Sequence, residues 1–120
     1  LLVDDDAFFR EVTITALKGA GYGVIAVSDG REVVKKIQDD GFDLVITDIF
    51  MPYKDGIEVI QEIRAIHPTI KIITISSDRP TGYRSFLDVA KILGSNGSLE
   101  KPFNHEQLLS KINDVMQVAK

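Results

Sequence analysis

Short apolar runs alternate with segments of helical periodicity five times along this 120-residue chain. The apolar runs cover residues 1–3, 24–27, 42–47, 70–76 and 98–100, the last being short and half polar. Helical patterns follow them at 7–20, around 33–37, and at 57–66, 82–93 and 105–119. Strands that are apolar on both faces and separated by helices form parallel sheets with helices on both sides. The sequence therefore predicts one doubly wound (βα)5 α/β domain over residues 1–120, with the flavodoxin-like strand order 2-1-3-4-5.

The first predicted helix has an apolar face. By the helical period, this face is formed by Phe8, Phe9, Val12, Ala16 and Leu17. Glycines at 19, 21 and 23 end this helix. They lie between a helix and a strand, whereas a dinucleotide-binding glycine motif follows a strand and opens a helix, so they indicate no nucleotide site.

Composition excludes several classes of function. The net charge of −4 argues against direct binding of nucleic acid, which requires a face rich in Lys and Arg. The chain has no cysteine, so disulfides, zinc fingers and thiol nucleophiles are excluded. No apolar run approaches the roughly 20 residues of a membrane span, and we expect a cytoplasmic protein. The chain opens inside an apolar stretch without Met, so we expect that a few preceding residues were removed.

Acidic residues follow two strands that are neighbours in the predicted sheet. Asp4, Asp5 and Asp6 leave the first strand, and Asp48 leaves the third. For the order 2-1-3-4-5, the ligand crevice lies between the carboxyl ends of these two strands. The fourth strand brings Ser76 or the adjacent Ser77 to the same rim, and the fifth brings Lys101.

A cluster of carboxylates such as this one is expected to bind a cation. Two carboxylates about 4 Å apart repel each other by roughly 4 kcal/mol at an effective dielectric constant of about 20. Oxygen ligands without His or Cys nearby favour Mg²⁺, which is typically bound by one or two carboxylates, waters and a phosphate oxygen. A carboxylate, a hydroxyl, an ammonium and Mg²⁺ around one cavity suit a phosphoryl group, with Asp48 as nucleophile.

Simpler interpretations exist for the same residues. The acidic run can cap the first helix, because Asp is a favoured N-cap residue. Asp48 can cap a turn, Ser76 can simply end a strand, and Lys101 can be solvated. We expect Asp55 to serve only the Asp-Gly turn, and His67 and His105, which share no ligand spacing, to be surface residues.

The motifs resemble those of the response-regulator receiver domain of two-component signal transduction, the CheY-like family. "LLVDDDAFFR" resembles the family's acidic pair and its following Arg, and "DLVITDIFMPYKDGIEVI" resembles the block around the phosphorylated aspartate. "IITISS" matches the hydroxyl-bearing fourth strand, and "KPF" at 101–103 matches the lysine-proline turn. The resemblance runs over the whole chain.

The resemblance implies a role for each matching position. Asp48 is the phospho-acceptor; Asp4, Asp5, Asp48 and the backbone carbonyl of Phe50 bind Mg²⁺, with Asp6 outside the set. Ser76, in place of the commoner Thr, and Lys101 contact the phosphoryl group, and the Lys101-Pro102 peptide is often cis in this family. Phe50 and Asp78 line the approach of the hydrolytic water and are expected to tune autodephosphorylation.

Two departures from the family pattern affect the expected switch. Ser98 stands where the family usually has a Tyr or Phe that changes exposure on phosphorylation. The segment between Ser76 and Lys101 is a few residues longer than usual, and Tyr83 within it is a speculative replacement for the missing aromatic.

The resulting hypothesis is a phosphorylation-dependent switch rather than an enzyme. The phosphoryl donor is a phosphohistidine on a sensor histidine kinase or a histidine phosphotransfer protein. A downstream partner binds the face formed by the fourth helix (82–93), the fifth strand and the fifth helix (105–119). One rival is a binding module that is never phosphorylated, which Ser98 favours. The other is a Mg²⁺-dependent phosphohydrolase, which needs a further acid where the chain has Phe50.

Overall fold

Parallel strands and the helices between them make up the part of the chain that the structure describes. The computed structural model describes residues 1–51, 54–76, 90–91 and 93–117. Its strands are β1 (Leu2–Val3), β2 (Ala26–Val27), β3 (Leu44–Asp48), β4 (Lys71–Ser76) and β5 (Gly97–Glu100). Its helices are α1 (Ala7–Gly19), α2 (Val33–Asp39), α3 (Gly56–Ile66) and α4 (His105–Gln117), and a 3-10 turn covers Gly30–Glu32. Each described helix is too short or too polar to cross a bilayer.

The sheet has the predicted topology. Its order is β2-β1-β3-β4-β5, and all four pairings of neighbouring strands are parallel. Strand β1 lies between β2 and β3, and its Leu2 pairs with both Ala26 and Ile46. Strand order reverses between β1 and β3, so the segments that leave these two strands lie side by side at one edge of the sheet. The doubly wound flavodoxin-like fold is confirmed.

Two apolar cores lie on opposite faces of the sheet. Alternate residues of each strand point to opposite faces, and adjacent strand residues accordingly fall into different clusters. One core joins the sheet to α2 and α3 through Val3, Val45, Ile72, Val33, Ile37, Val59, Ile60 and Ile63. The other joins it to α1 and α4 through Leu2, Ile46, Ile73, Ile75, Leu17, Leu108, Ile112 and Val115. Strands β1, β3 and β4 are therefore buried on both faces, as their continuous apolar character predicts, whereas β5 exposes Ser98 and Glu100.

The apolar face predicted for α1 is buried only in part. Phe8 is 76% exposed and Val12 is 39% exposed, whereas Leu17 is buried. The buried face follows Phe9, Thr13 and Leu17, which are four residues apart and so lie above one another on the helix. Helix α1 has more apolar residues than it has positions that face the sheet, so some of its apolar side chains face solvent.

The turn from β3 into α3 depends on an Asp-Gly pair. The Asp55 side chain accepts a hydrogen bond from the Glu58 backbone N–H at 3.0 Å, so it caps α3 as well as serving the turn, which corrects our expectation for this residue. A Cβ atom at Gly56 would lie 2.6 Å from the Asp48 carbonyl oxygen. Glycine is therefore required for α3 to start directly against the end of β3.

Most of the predicted helix 82–93 lies outside the described residues. Within that range the structure describes Ala90, Lys91 and Leu93, which are helical. Ala90 is buried and belongs to the core formed with α2 and α3. The following strand, predicted at 98–100, begins one residue earlier, at Gly97.

Candidate functional site

Three carboxylates meet where β1 and β3 end. One oxygen each from Asp4, Asp5 and Asp48 lies within 4.8 Å of the other two. Asp4 is fully buried and Asp48 is 3% exposed, while Asp5 faces solvent. This group, the carboxylate cluster, brings together the acidic side chains predicted from the ends of the first and third strands.

Asp6 lies outside the carboxylate cluster and caps α1. Its side chain accepts a hydrogen bond from the Phe9 backbone N–H at 3.1 Å. Its own backbone N–H donates to Asp4 Oδ1 at 2.9 Å. The simpler interpretation of the acidic run as a helix cap thus holds for its third member only.

Lys101 supplies the positive charge of the site. Its Nζ atom lies 2.9 Å from Asp4 Oδ2 and 3.6 Å from Asp48 Oδ2, and its side chain is only 17% exposed. The backbone N–H of Lys101 donates to the Ser76 carbonyl at 2.7 Å, which ties the end of β5 to the end of β4. The Lys101-Pro102 peptide is cis, as the resemblance implied. Lys101 is an ion-pair partner and not a solvated side chain.

Burial and charge shift the acidity of Asp48. Its pKa rises from the ordinary value of 3.8 to about 6, first because burial penalises the ionised form and second because Asp4 is close. The Lys101 ammonium and the hydrogen bond from the Phe50 backbone N–H, 3.1 Å long, act in the opposite direction. Asp48 is therefore a buried carboxylate whose charge the protein compensates only in part.

The other predicted site residues occupy different positions relative to this cluster. Ser76 is fully buried at the end of β4, where it pairs with Glu100 of β5. Phe50 is half-buried and follows the cluster directly along the chain. Ser98 is exposed on β5 and pairs with the buried Thr74. Ser77, Asp78 and Tyr83 lie outside the described residues.

Sequence reasoning missed two residues that contact the site. Arg10 Nη1 donates to the Asp4 backbone carbonyl at 2.7 Å, which fixes the segment that carries the cluster. Lys101 Nζ lies 3.9 Å from the centroid of the Phe9 ring. The sequence marks Arg10 only as part of a family motif. It places Phe9 on the apolar face of the first helix, and nothing local in the sequence relates residue 9 to residue 101.

Comparison with known proteins identifies the family. Residues 1–113 match the response regulator receiver domain, and the chain belongs to this family. It is 35% identical to chemotaxis protein CheY of Thermotoga maritima, over 96% of this chain and 94% of that protein. It is 32% identical to the response regulator receiver protein CpdR of Brucella abortus, over 99% of this chain and 97% of that protein.

Longer regulators and solved structures give the same result. The chain is 36% identical to the probable transcriptional regulator ycf27 of Guillardia theta but spans only 44% of its length. Chemotaxis protein CheY4 of Vibrio cholerae superposes with a TM-score of 0.86 at 32% identity, covering 95% of this chain and 94% of that one. A CheY-like receiver domain protein of Methanospirillum hungatei superposes with a TM-score of 0.88 at 26% identity, covering 98% and 91%.

Family membership defines the class of function. The chain is a receiver domain, a signalling domain of two-component systems rather than a conventional enzyme. Receiver domains bind Mg²⁺ at an acidic pocket, and the carboxylate cluster of this chain could hold a metal ion. They interact with histidine kinases or phosphotransfer proteins and with downstream effectors.

Proposed function

We propose that Asp48 accepts a phosphoryl group from a phosphohistidine and that this modification switches the domain between two signalling states. The observation that carries the proposal is the meeting of three carboxylates with the Lys101 ammonium at the edge of the sheet. The donor is a sensor histidine kinase or a histidine phosphotransfer protein, in a cytoplasmic two-component pathway.

The residues of the cluster suit a magnesium ion. Its ligand atoms are carboxylate oxygens without nitrogen or sulfur, which is the donor set that Mg²⁺ prefers. Asp4, Asp5, Asp48 and the backbone carbonyl of Phe50 would hold the ion. When bound, Mg²⁺ supplies charge neutralisation for the carboxylates and for the oxygens of the transferring phosphoryl group.

In the transfer step a carboxylate oxygen of Asp48 attacks phosphorus while the bond between phosphorus and the imidazole nitrogen breaks. The imidazole leaves as the product, and Asp48 becomes an acyl phosphate. Lys101, 3.6 Å from Asp48 Oδ2, pairs with the new phosphoryl charge, and the Ser76 hydroxyl at the end of β4 donates to one of its oxygens. The Phe50 N–H, which donates to Asp48 Oδ1, keeps the attacking carboxylate in a fixed orientation.

The signal is read out and then reset. New negative charge at Asp48 draws Ser76 and Lys101 towards it and so biases the segments that follow β4 and β5. A downstream partner then binds the face that includes residues 82–93, β5 and α4, with Ser98 and Tyr83 at the switch positions. Hydrolysis of the acyl phosphate by an in-line water returns the domain to its first state at a rate set by Phe50 and Asp78.

Intact mass spectrometry tests the transfer. The chain is incubated with a small-molecule phosphodonor such as acetyl phosphate, with Mg²⁺ or with EDTA. We expect one added phosphoryl group with Mg²⁺, and none in Asp48→Asn or with EDTA. Asp114→Asn, which changes an exposed acid of α4, is the control and should be phosphorylated like the wild type. A wild-type chain that gains no phosphoryl group contradicts the proposal.

A second candidate function is a binding module that works without phosphorylation. Ser98 favours it, because this small exposed residue cannot make the change of burial that an aromatic side chain makes. A polar cavity of about 360 Å³ lies beside Ser98 and is lined by Lys91 and Lys111 among others. The same mass measurement decides between the two functions, since the module takes up no phosphoryl group.

A further inference from the structure

An aromatic ring lies against the cation of the site. The Lys101 ammonium is 3.9 Å from the centroid of the Phe9 ring, well within the range of a cation–π interaction. Because the Lys101 side chain is only 17% exposed, water screens this contact weakly. The neighbouring Phe8 is 76% exposed and makes no such contact.

Two contacts fix the position of the Phe9 ring. The backbone N–H of Phe9 donates to the capping side chain of Asp6, which anchors the first turn of α1. The ring packs edge-on against Phe103, with 5.8 Å between centroids and an interplanar angle of 86°. Phe103 follows the Lys101-Pro102 peptide directly, so the ring and the lysine backbone are held in one packed unit.

The Lys101 ammonium that contacts this ring also forms ion pairs with two members of the carboxylate cluster. Lys101 Nζ is 2.9 Å from Asp4 Oδ2 but 3.6 Å from Asp48 Oδ2, so its shorter ion pair is with Asp4. Asp4 is fully buried and is also one of the three carboxylates that suit a metal ion. A dication and the ammonium therefore compete for the same carboxylate.

We propose that Phe9 is a positioning residue that holds the Lys101 ammonium on Asp4 and thereby weakens Mg²⁺ binding by the unphosphorylated domain. The proposal rests on the magnesium site of the proposed function and adds a residue that sets its affinity. A partly buried cation–π contact, between the exposed and the fully desolvated case, corresponds to an affinity change of about 3- to 10-fold. Removing the ring weakens the hold of Lys101 on Asp4 without removing the ion pair itself.

Magnesium titrations of the full chain test this inference. The dissociation constant for Mg²⁺ is measured by calorimetry, without any phosphodonor, for the wild type, Phe9→Leu, Phe8→Leu and Lys101→Met. We expect Phe9→Leu to bind Mg²⁺ about 3- to 10-fold more tightly and Lys101→Met to bind it at least as tightly as Phe9→Leu. Phe8→Leu, the matched control on the same helix, should equal the wild type.

The double variant Phe9→Leu/Lys101→Met separates the proposed effect from simple packing. If Phe9 acts through the lysine, its replacement changes nothing further once Lys101 is Met. An unchanged Mg²⁺ affinity in Phe9→Leu, or an equal change in both backgrounds, overturns the inference. Phe9→Met, which keeps most of the side-chain volume, provides a second variant should Phe9→Leu fold poorly.

The nuclear magnetic resonance signal of the Lys101 ε-methylene group gives a structural readout. An ammonium placed over the Phe9 ring carries a ring-current shift, which Phe9→Leu removes and Phe8→Leu keeps. If Phe9→Leu leaves the dissociation constant for Mg²⁺ unchanged while the chain is still phosphorylated, this inference is refuted and the proposed function is not. A chain whose Mg²⁺ affinity depends on Phe9 but that gains no phosphoryl group refutes phosphoryl transfer alone.

Discussion

Replacing Asp48 by Asn is expected to stabilise the metal-free chain near neutral pH and to leave its stability unchanged near pH 4. Asp48 is 3% exposed, and burial together with Asp4 raises its pKa to about 6. Its ionised form is therefore less favourable in the folded chain than in the unfolded one. Asn has nearly the same shape and keeps an oxygen that can accept the Phe50 N–H, but it carries no charge.

Proton linkage determines how the stability of the wild type changes with pH. Between about pH 4 and pH 6 the folded state holds a proton on Asp48 that the unfolded state has lost, so the stability of the wild type falls as pH rises through this window. The pKa moves from 3.8 to about 6, and a shift of roughly two units corresponds to about 3 kcal/mol. The opposing effect of the Lys101 ammonium, 3.6 Å away, is already included in this pKa. We expect Asp48→Asn to raise the free energy of unfolding near pH 7 by about 2–3 kcal/mol.

Urea denaturation followed by far-ultraviolet circular dichroism measures this difference. The wild type, Asp48→Asn and the exposed-acid control Asp114→Asn are compared in EDTA at several values between about pH 4 and pH 7.5. The control should follow the wild type throughout, whereas the curve for Asp48→Asn should separate from it as pH rises. Added Mg²⁺ should reduce the difference in stability between Asp48→Asn and the wild type. A ligand that binds only the folded state stabilises it, and the wild type keeps the Asp48 carboxylate that would bind the ion. Parallel curves for all three proteins would refute the electrostatic reasoning.

The remaining predictions concern contacts around the site. Asp6→Ala removes the cap of α1, so we expect a loss of about 1 kcal/mol in thermal or urea unfolding, while Mg²⁺ binding shifts far less than in Asp4→Ala. Arg64→Met removes a guanidinium that donates to the carbonyls of Ile70 and Gly94, each at 2.6 Å, and thereby ties α3 to the segment before β5. We expect the free energy of unfolding to fall by about 1.5–3 kcal/mol, and an unchanged value would show that these hydrogen bonds do not hold the segment.

The fold and the carboxylate cluster could be predicted because both follow from local patterns joined by one topological rule. Continuous apolar runs such as 70–76 indicate strands buried on both faces, and helices between them force parallel pairing. Parallel pairing then brings residues that end different strands to one edge, so Asp4 and Asp48 could be placed together although they are far apart in sequence.

Helix faces and side-chain contacts were less accessible from the sequence. Phe8 and Phe9 are identical residues at adjacent positions, yet one is 76% exposed and the other packs under Lys101. One residue turns the helix by about 100°, so a small error in phase exchanges the inward and outward positions. The rotation of α1 about its axis is fixed by the Asp6 cap and by the contact between Phe9 and Phe103. The second contact joins residues from opposite ends of the sequence.

Charge balance links these features into one description of the site. Three carboxylates and one ammonium leave the cluster with excess negative charge, which adds to burial, the larger cause, in raising the pKa of Asp48. Under the proposed function, a dication at the cluster would neutralise this excess and would replace Lys101 at Asp4, so that the ammonium would become available to Asp48. A phosphoryl group adds roughly 1.5 to 2 negative charges there. If the proposals hold, metal binding and phosphorylation would both move Lys101 away from Phe9 and towards Asp48, and the ring would oppose the first step of that movement.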